Sequence, residues 1–172
     1  YETWGELNED ASNGVLVCHA LSGDSHAAQH DDEDDAGWWD LLIGPGKAID
    51  THRYFVICSN VLGGCRGTTG PNFTRPEGDQ PYGADFPVVT VGDMVEVQQR
   101  LVYSLGIEKL AAVVGGSLGG LQALTWAIDQ PNRLGAAIVL AASPRLSSQG
   151  IAFDVVGRNA IRHDAHFQGG QY

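Results

Sequence analysis

Four short runs of uninterrupted apolar residues divide the chain: Val15-Leu16-Val17-Cys18, Tyr54-Phe55-Val56-Ile57-Cys58, Leu110-Ala111-Ala112-Val113-Val114 and Ala136-Ala137-Ile138-Val139-Leu140. Runs of this length that do not alternate with polar residues predict strands buried on both faces, as in a parallel sheet covered by helices. Each of the first three runs leads into glycines or a turn sequence, at Leu21-Ser22-Gly23-Asp24, Leu62-Gly63-Gly64 and Gly115-Gly116. The pattern changes period between them. Val91, Met94, Val95, Leu101, Val102 and Leu105 recur at helical spacing, after a capping-box sequence Thr90-Val91-Gly92-Asp93 and before a stop at Gly106. Leu118 to Gln130 is apolar nearly all round, ends before Pro131, and predicts a buried helix. Strands alternating with helices predict an α/β fold with a mostly parallel sheet and helices on both faces.

Two stretches do not fit a minimal layer. Residues 24 to 53 carry His30-Asp31-Asp32-Glu33-Asp34-Asp35, then Trp38-Trp39, then Gly44-Pro45-Gly46, and residues 61 to 87 are dense in glycine and proline. Loops of this length inside a compact domain are usually functional or insertions. With 172 residues, 43% of them hydrophobic, the expectation is a single domain over 1–172. The chain opens without Met, in what reads as mid-domain sequence, so it is expected to be a piece of a longer one.

Charge narrows the partners. The formal net charge is −11, from 21 acids against 10 bases, and only Lys47 and Lys109 are lysines. Such a surface repels phosphate backbones, which argues against nucleic acid. An Asp-rich, Lys-poor composition suits a cytoplasm of very high salt, where screening removes self-repulsion, so a halophilic source is expected. No apolar run approaches the roughly 18 residues of a membrane span, and the first residues lack the basic and apolar regions of a signal peptide. The expected location is cytoplasmic. Cys18, Cys58 and Cys65 are odd in number, and the first two sit in apolar runs, which predicts reduced thiols rather than a disulfide frame.

The sharpest chemical motif is Gly115-Gly116-Ser117-Leu118-Gly119, a G-x-S-x-G sequence between a predicted strand and a predicted helix. In that context the chain must reverse sharply and project the serine hydroxyl from the end of the sheet, where helix amides also point. A phosphate loop would want Lys after the glycines, but Leu121-Gln122 stands there, and a dinucleotide G-x-G-x-x-G is broken by Ser117. Ser117 is therefore expected to be a nucleophile. The oxyanion that forms on attack needs two amide donors, expected from Leu118 and from Leu21 in the loop after the first strand.

The base is harder to place. His19 precedes the nucleophile, against the chain order Ser, acid, His, and is read as structural. His163 and His166 follow Ser117, but no apolar run of strand quality follows residue 141, and they read as surface residues of a helical segment. The acid and base of the triad are expected beyond Tyr172. His26, His30 and the five acids of 31 to 35 match no metal-ligand spacing and are read as a solvated loop, with no metal expected. Cys65 has no base placed for it and is read as a pocket-wall residue.

These words resemble a family. His19-Ala20-Leu21-Ser22-Gly23-Asp24-Ser25-His26, Gly37-Trp38-Trp39, Gly44 to Thr51, the block Ser59-Asn60-Val61-Leu62-Gly63-Gly64-Cys65-Arg66-Gly67-Thr68-Thr69-Gly70-Pro71, Gly115 to Leu124 and Arg158-Asn159-Ala160-Ile161 resemble the homoserine O-acetyltransferases, on the α/β-hydrolase fold. The block from Ser59 to Pro71 is far more specific than the serine motif. Ser22 stands where Thr is usual, and Leu118 and Leu121 where Met is frequent. The resemblance implies that Ser117 takes the acetyl group of acetyl-CoA and passes it to the hydroxyl of L-homoserine by a ping-pong route, feeding methionine synthesis. It also implies a homodimer, no permanently bound cofactor, and a substrate pocket near Gly63 and Gly64, where small residues favour an acetyl donor. A succinyl- or serine-selective relative, an esterase on the same fold, and an inactive binding piece are the alternatives.

Overall fold

A computed structural model describes residues 1–170. Its main sheet has five strands: β1 (Glu2–Trp4), β2 (Gly14–Cys18), β5 (Phe55–Cys58), β6 (Leu110–Gly116) and β7 (Leu134–Leu140). A separate two-stranded ribbon is formed by β3 (Ile43–Gly44) and β4 (Ile49–Asp50). The spatial order of the main sheet is β1-β5-β2-β6-β7, with β1 antiparallel and the rest parallel. Helix α1 (Val91–Ser104) carries the chain over β2 from β5 to β6, and α2 (Leu118–Asp129) connects β6 to β7. A third helix, α3 (Ser148–His163), follows β7.

The apolar runs are continuous because alternate side chains enter two different cores. Leu16, Ile57 and Val113 point to one side, where they meet Val95 and Val102 of α1 and Ala123 and Trp126 of α2. Val15, Val17, Val56, Cys58 and Val114 point to the other, where they meet Ala27, Ala28 and Ile43. So α1 and α2 share a face, and the long stretch after β2 covers the opposite one. That stretch is what the sequence left without a place. Burial of this kind stabilises by about 1.5–3 kcal/mol for each fully enclosed Val, Leu or Ile.

The capping box at the start of α1 forms as read: the Asp93 amide donates to Thr90 Oγ1 at 3.2 Å, and the Thr90 amide donates to Asp93 Oδ2 at 2.8 Å. Two expectations need correction. The run 136–140 lies in β7, an edge strand among the described residues, where Ile138 and Leu140 are 47% and 40% exposed. Helix α2 is buried along one face only, through Gly119, Gly120, Gln122, Ala123 and Trp126, while Ile128 faces solvent. Strand β1 and the β3–β4 ribbon had no signal beyond two or three apolar positions. Among the described residues no helix is long and apolar enough to cross a membrane.

Candidate active site

The parallel strands β5, β2, β6 and β7 all end at one edge of the sheet, where clefts of open α/β folds form. Ser117 sits there between β6 and α2, exposed, with φ 55° and ψ −120°. Positive φ in a residue with a Cβ costs about 1–3 kcal/mol and persists only when the surroundings enforce it. The surroundings do. The Ser117 amide donates to the Leu140 carbonyl at 3.0 Å, and the Leu121 amide donates to the Ser117 carbonyl at 3.1 Å. A Cβ on Gly119 would lie 1.9 Å from the Cys18 carbonyl oxygen, and one on Gly115 would lie 2.3 Å from the Gly119 carbonyl oxygen. The turn closes only with glycine at these two positions, and the chain supplies it.

The same close approach brings the loop after β2 against the start of α2. His19, buried directly after β2, is wholly committed: Nδ1 donates to the Ala20 carbonyl at 2.7 Å, and Nε2 accepts the Val61 amide at 3.2 Å. It is a tie between the loops after β2 and β5, in accord with its structural reading. Beyond it Leu21 is 82% exposed, on a turn closed by the Gly23 amide donating to the Ala20 carbonyl. Leu118 is the first residue of α2, where an amide has no partner within its own helix.

A shallow cavity at this edge is lined by His19, Leu21, Asn60, Gly64, Cys65 and Arg66, among others. Gly64 and Cys65 are among the residues that line it. Gly63 has φ 81°, and a Cβ there would meet Val89 and Phe86, so its conformation itself favours glycine. The cavity's guanidinium is occupied, because Arg66 Nη1 pairs with Asp24 Oδ2 at 2.5 Å.

Sequence reasoning missed a polar network behind the serine. Gln98 on α1 accepts from Trp126 Nε1 at 2.9 Å and donates to Gln122 Oε1 at 2.6 Å, and Gln122 donates to the Leu118 carbonyl at 3.3 Å. All three side chains are buried, so the network fixes α2, and with it the serine turn, against α1. A glutamine at an otherwise apolar helix position was the only available signal. Burial pushes the Cys18 thiol beside Gln98 up to about 12 and that of Cys58 well above the ordinary range, so neither is a nucleophile at neutral pH.

Among the described residues no histidine or carboxylate hydrogen-bonds the Ser117 hydroxyl. His163 bonds the Asn159 carbonyl, and His166 bonds Asp164, both on the surface. Away from the serine, Glu2 meets His26 and His30. Glu2 Oε2 lies 2.9 Å from His26 Nδ1 and 3.1 Å from His30 Nε2. The Asp35 carbonyl and the Glu2 carboxylate raise His26 to about 9. Burial pushes Glu2 up, but the bonds from His26, Ser25 and His30 outweigh it and hold the carboxyl below its ordinary range.

A strained, exposed serine between a parallel strand and a glycine-tight helix defines a class, and residues 13–162 match the family described as alpha/beta hydrolase fold. The chain belongs to that family. More particularly, it is 59% identical over 174 residues to a homoserine O-succinyltransferase of Magnetococcus marinus, covering 100% of this chain and 44% of that one. Among solved structures, it superposes on esterase E22 with a TM-score of 0.92 at 41% identity, covering 99% of this chain and 48% of that one. A homoserine O-acetyltransferase from Bacillus anthracis gives 0.84 at 40% identity, with 99% and 48% covered. The chain thus spans less than half the length of the curated relatives it matches.

Proposed function

We propose that the protein transfers an acyl group from a coenzyme A thioester to the hydroxyl of L-homoserine, in methionine biosynthesis, with Ser117 as nucleophile. The observation that carries this is the Ser117 backbone, held at φ 55° by flanking glycines at the head of α2. Ser117 Oγ attacks the thioester carbonyl, the oxyanion is held by the Leu118 and Leu21 amides, and the thiol leaves. The homoserine hydroxyl then attacks the acyl-serine and releases free Ser117. The triad acid and base are supplied by residues other than the histidines described above.

Acetyl-CoA is the donor we favour. Among the described residues, Arg66 is the one cationic side chain lining the cavity beside Leu21, and it pairs with Asp24, so no unpaired cation there meets the terminal carboxylate of a succinyl group. The likeness to the Bacillus anthracis enzyme supports the same choice. A succinyl donor is the second reading, supported by the name of the Magnetococcus relative. Hydrolysis is a third, supported by the superposition on esterase E22. Acetyl-CoA and succinyl-CoA are offered in equal amounts to the full-length protein, with and without homoserine, and Ser117 and the products are followed by mass spectrometry. The expected result is an acetyl adduct on Ser117, absent in Ser117→Ala, that passes to homoserine faster than to water. A succinyl adduct would reverse the donor, free acid as the main product would favour the esterase, and an undiminished adduct in Ser117→Ala would remove the nucleophile.

A further inference from the structure

We propose that Glu2, His26 and His30 form a binding site for one first-row divalent metal ion of the zinc type, clamping β1 to the segment that covers the second core. The ligand atoms come from β1 and from two histidines four positions apart in the stretch after β2, and all lie within 4.8 Å of one another. A tetrahedral zinc site with ligand bonds of about 2.0–2.1 Å places its ligand atoms roughly 3.3 Å apart. Glu2 Oε2 stands 2.9 Å from His26 Nδ1 and 3.1 Å from His30 Nε2, within a few tenths of an ångström of that spacing. Two imidazoles and one carboxylate select zinc-like ions over magnesium or calcium, which take oxygen ligands.

The groups behind the ligands are those that orient metal-binding side chains. His26 Nε2 is held by the Asp35 carbonyl at 2.8 Å, which turns Nδ1 toward Glu2. The other carboxylate oxygen, Glu2 Oε1, accepts from Ser25 Oγ at 2.8 Å, and Ser25 is fixed in turn by Asn60 through two hydrogen bonds. The indole of Trp4 stacks on the His30 ring, with centroids 5.1 Å apart and planes inclined by 12°. This is the indirect support that fixes ring orientation around a metal. The His30 side chain is 45% exposed, which gives the ion a way in and leaves a solvent-facing position for water.

The chain from Glu2 through Ser25 to Asn60 reaches the block after β5 that borders the candidate active site. A metal here therefore adds a further tie among three segments: β1, the stretch from 24 to 40, and the loop beginning at Ser59. The acids of 31 to 35 are not its ligands. Asp34 comes no closer than 3.9 Å to a His26 nitrogen, and that nitrogen faces the Asp35 carbonyl.

The test uses the full chain carrying Cys65→Ser, because Cys65 is an exposed thiol that would itself take zinc. Metal-stripped protein is titrated with Co²⁺, whose visible absorption reports tetrahedral coordination, and then with Zn²⁺ as competitor. The expected result is one equivalent bound per chain, displaced by Zn²⁺ and not by Mg²⁺. Affinity should fall at least tenfold in His30→Ala and in Glu2→Gln, and about tenfold in Ser25→Ala. His30→Ala removes an exposed ring, so circular dichroism should show it folded even where Glu2→Gln does not fold. The proposal is overturned if binding is not saturable, if His30→Ala binds as tightly as its parent, or if Asp32→Asn abolishes binding while His30→Ala does not.

Discussion

Strands β6 and β7 lie side by side in register, Val114 beside Ile138 and Gly115 beside Val139, yet they live in different environments. In β6, Val113 is fully buried and Val114 is 4% exposed; in β7, Val139 is 36% and Ile138 47% exposed. The contrast extends to the helices that follow. Helix α2 buries five residues and tightens the serine turn, whereas α3 buries none and leaves Ile151, Phe153, Val156 and Ile161 exposed. The two strands are nearly indistinguishable as sequence. What separates them is the neighbour on each side: β6 has β2 and β7, and β7 has only β6 among the described residues.

The largest test of that difference is a pair of glycine-to-alanine changes. Gly119→Ala places a methyl 1.9 Å from the Cys18 carbonyl oxygen, a backbone clash that no rotamer relieves. It should cost about 3 kcal/mol or more by urea denaturation, and move the serine turn enough to abolish acylation of Ser117. Gly157→Ala sits in α3 with nothing within 4 Å of the new methyl and should stabilise by about 0.5–1 kcal/mol. A Gly157→Ala variant that is clearly destabilised would mean that α3 is covered in solution.

Why β6 and its turn were legible while β1 and the Glu2 cluster were not follows from the range over which each is determined. The serine turn is local: the apolar strand, the glycines at 115 and 119 and the helix pattern all lie within about twenty consecutive residues, so spacing carried it. The same holds for the Thr90–Asp93 box. The Gln98–Gln122–Trp126 network spans two helices, and the glutamines look like ordinary polar positions until the helices are packed. Glu2 reaches His26 across 24 positions, through a strand of three residues that no periodicity could reveal. The second core was hidden for the same reason, because Ala27-Ala28 and Leu41-Leu42-Ile43 are apolar stretches of two and three residues without a periodicity that assigns them a partner. Burial of β7 was misread because a run of apolar residues does not record whether a further strand pairs beside it.

A smaller effect should separate the two strands directly. Val113→Ala empties a fully enclosed position and should cost about 2 kcal/mol. Val139→Ala removes the same two methyl groups from a site already 36% exposed and should cost less than about 1 kcal/mol. Equal losses in thermal or urea unfolding would erase the distinction between centre and edge.

The smallest effect compares the starts of α1 and α3. Thr90 donates its amide to Asp93 Oδ2 at 2.8 Å and its hydroxyl to the same oxygen at 2.6 Å, and these bonds hold the Asp93 carboxyl below its ordinary value of 3.8. A carboxyl whose folded pKa is depressed contributes stability that is present above the unfolded value and is lost as pH falls through the folded one. The stability difference between the wild-type chain and Asp93→Asn should therefore be constant from pH 7 to about 5 and shrink below pH 3.8. Helix α3 is capped by Ser147, whose hydroxyl accepts from the Gly150 amide at 3.2 Å and does not titrate. Ser147→Ala should cost about 0.5–1 kcal/mol at every pH where the chain folds. Urea denaturation at pH 7, 5 and 3 distinguishes the two. An Asp93→Asn difference that persists undiminished at pH 3 would show that its carboxylate is not what secures α1, and that the two helix starts are held alike.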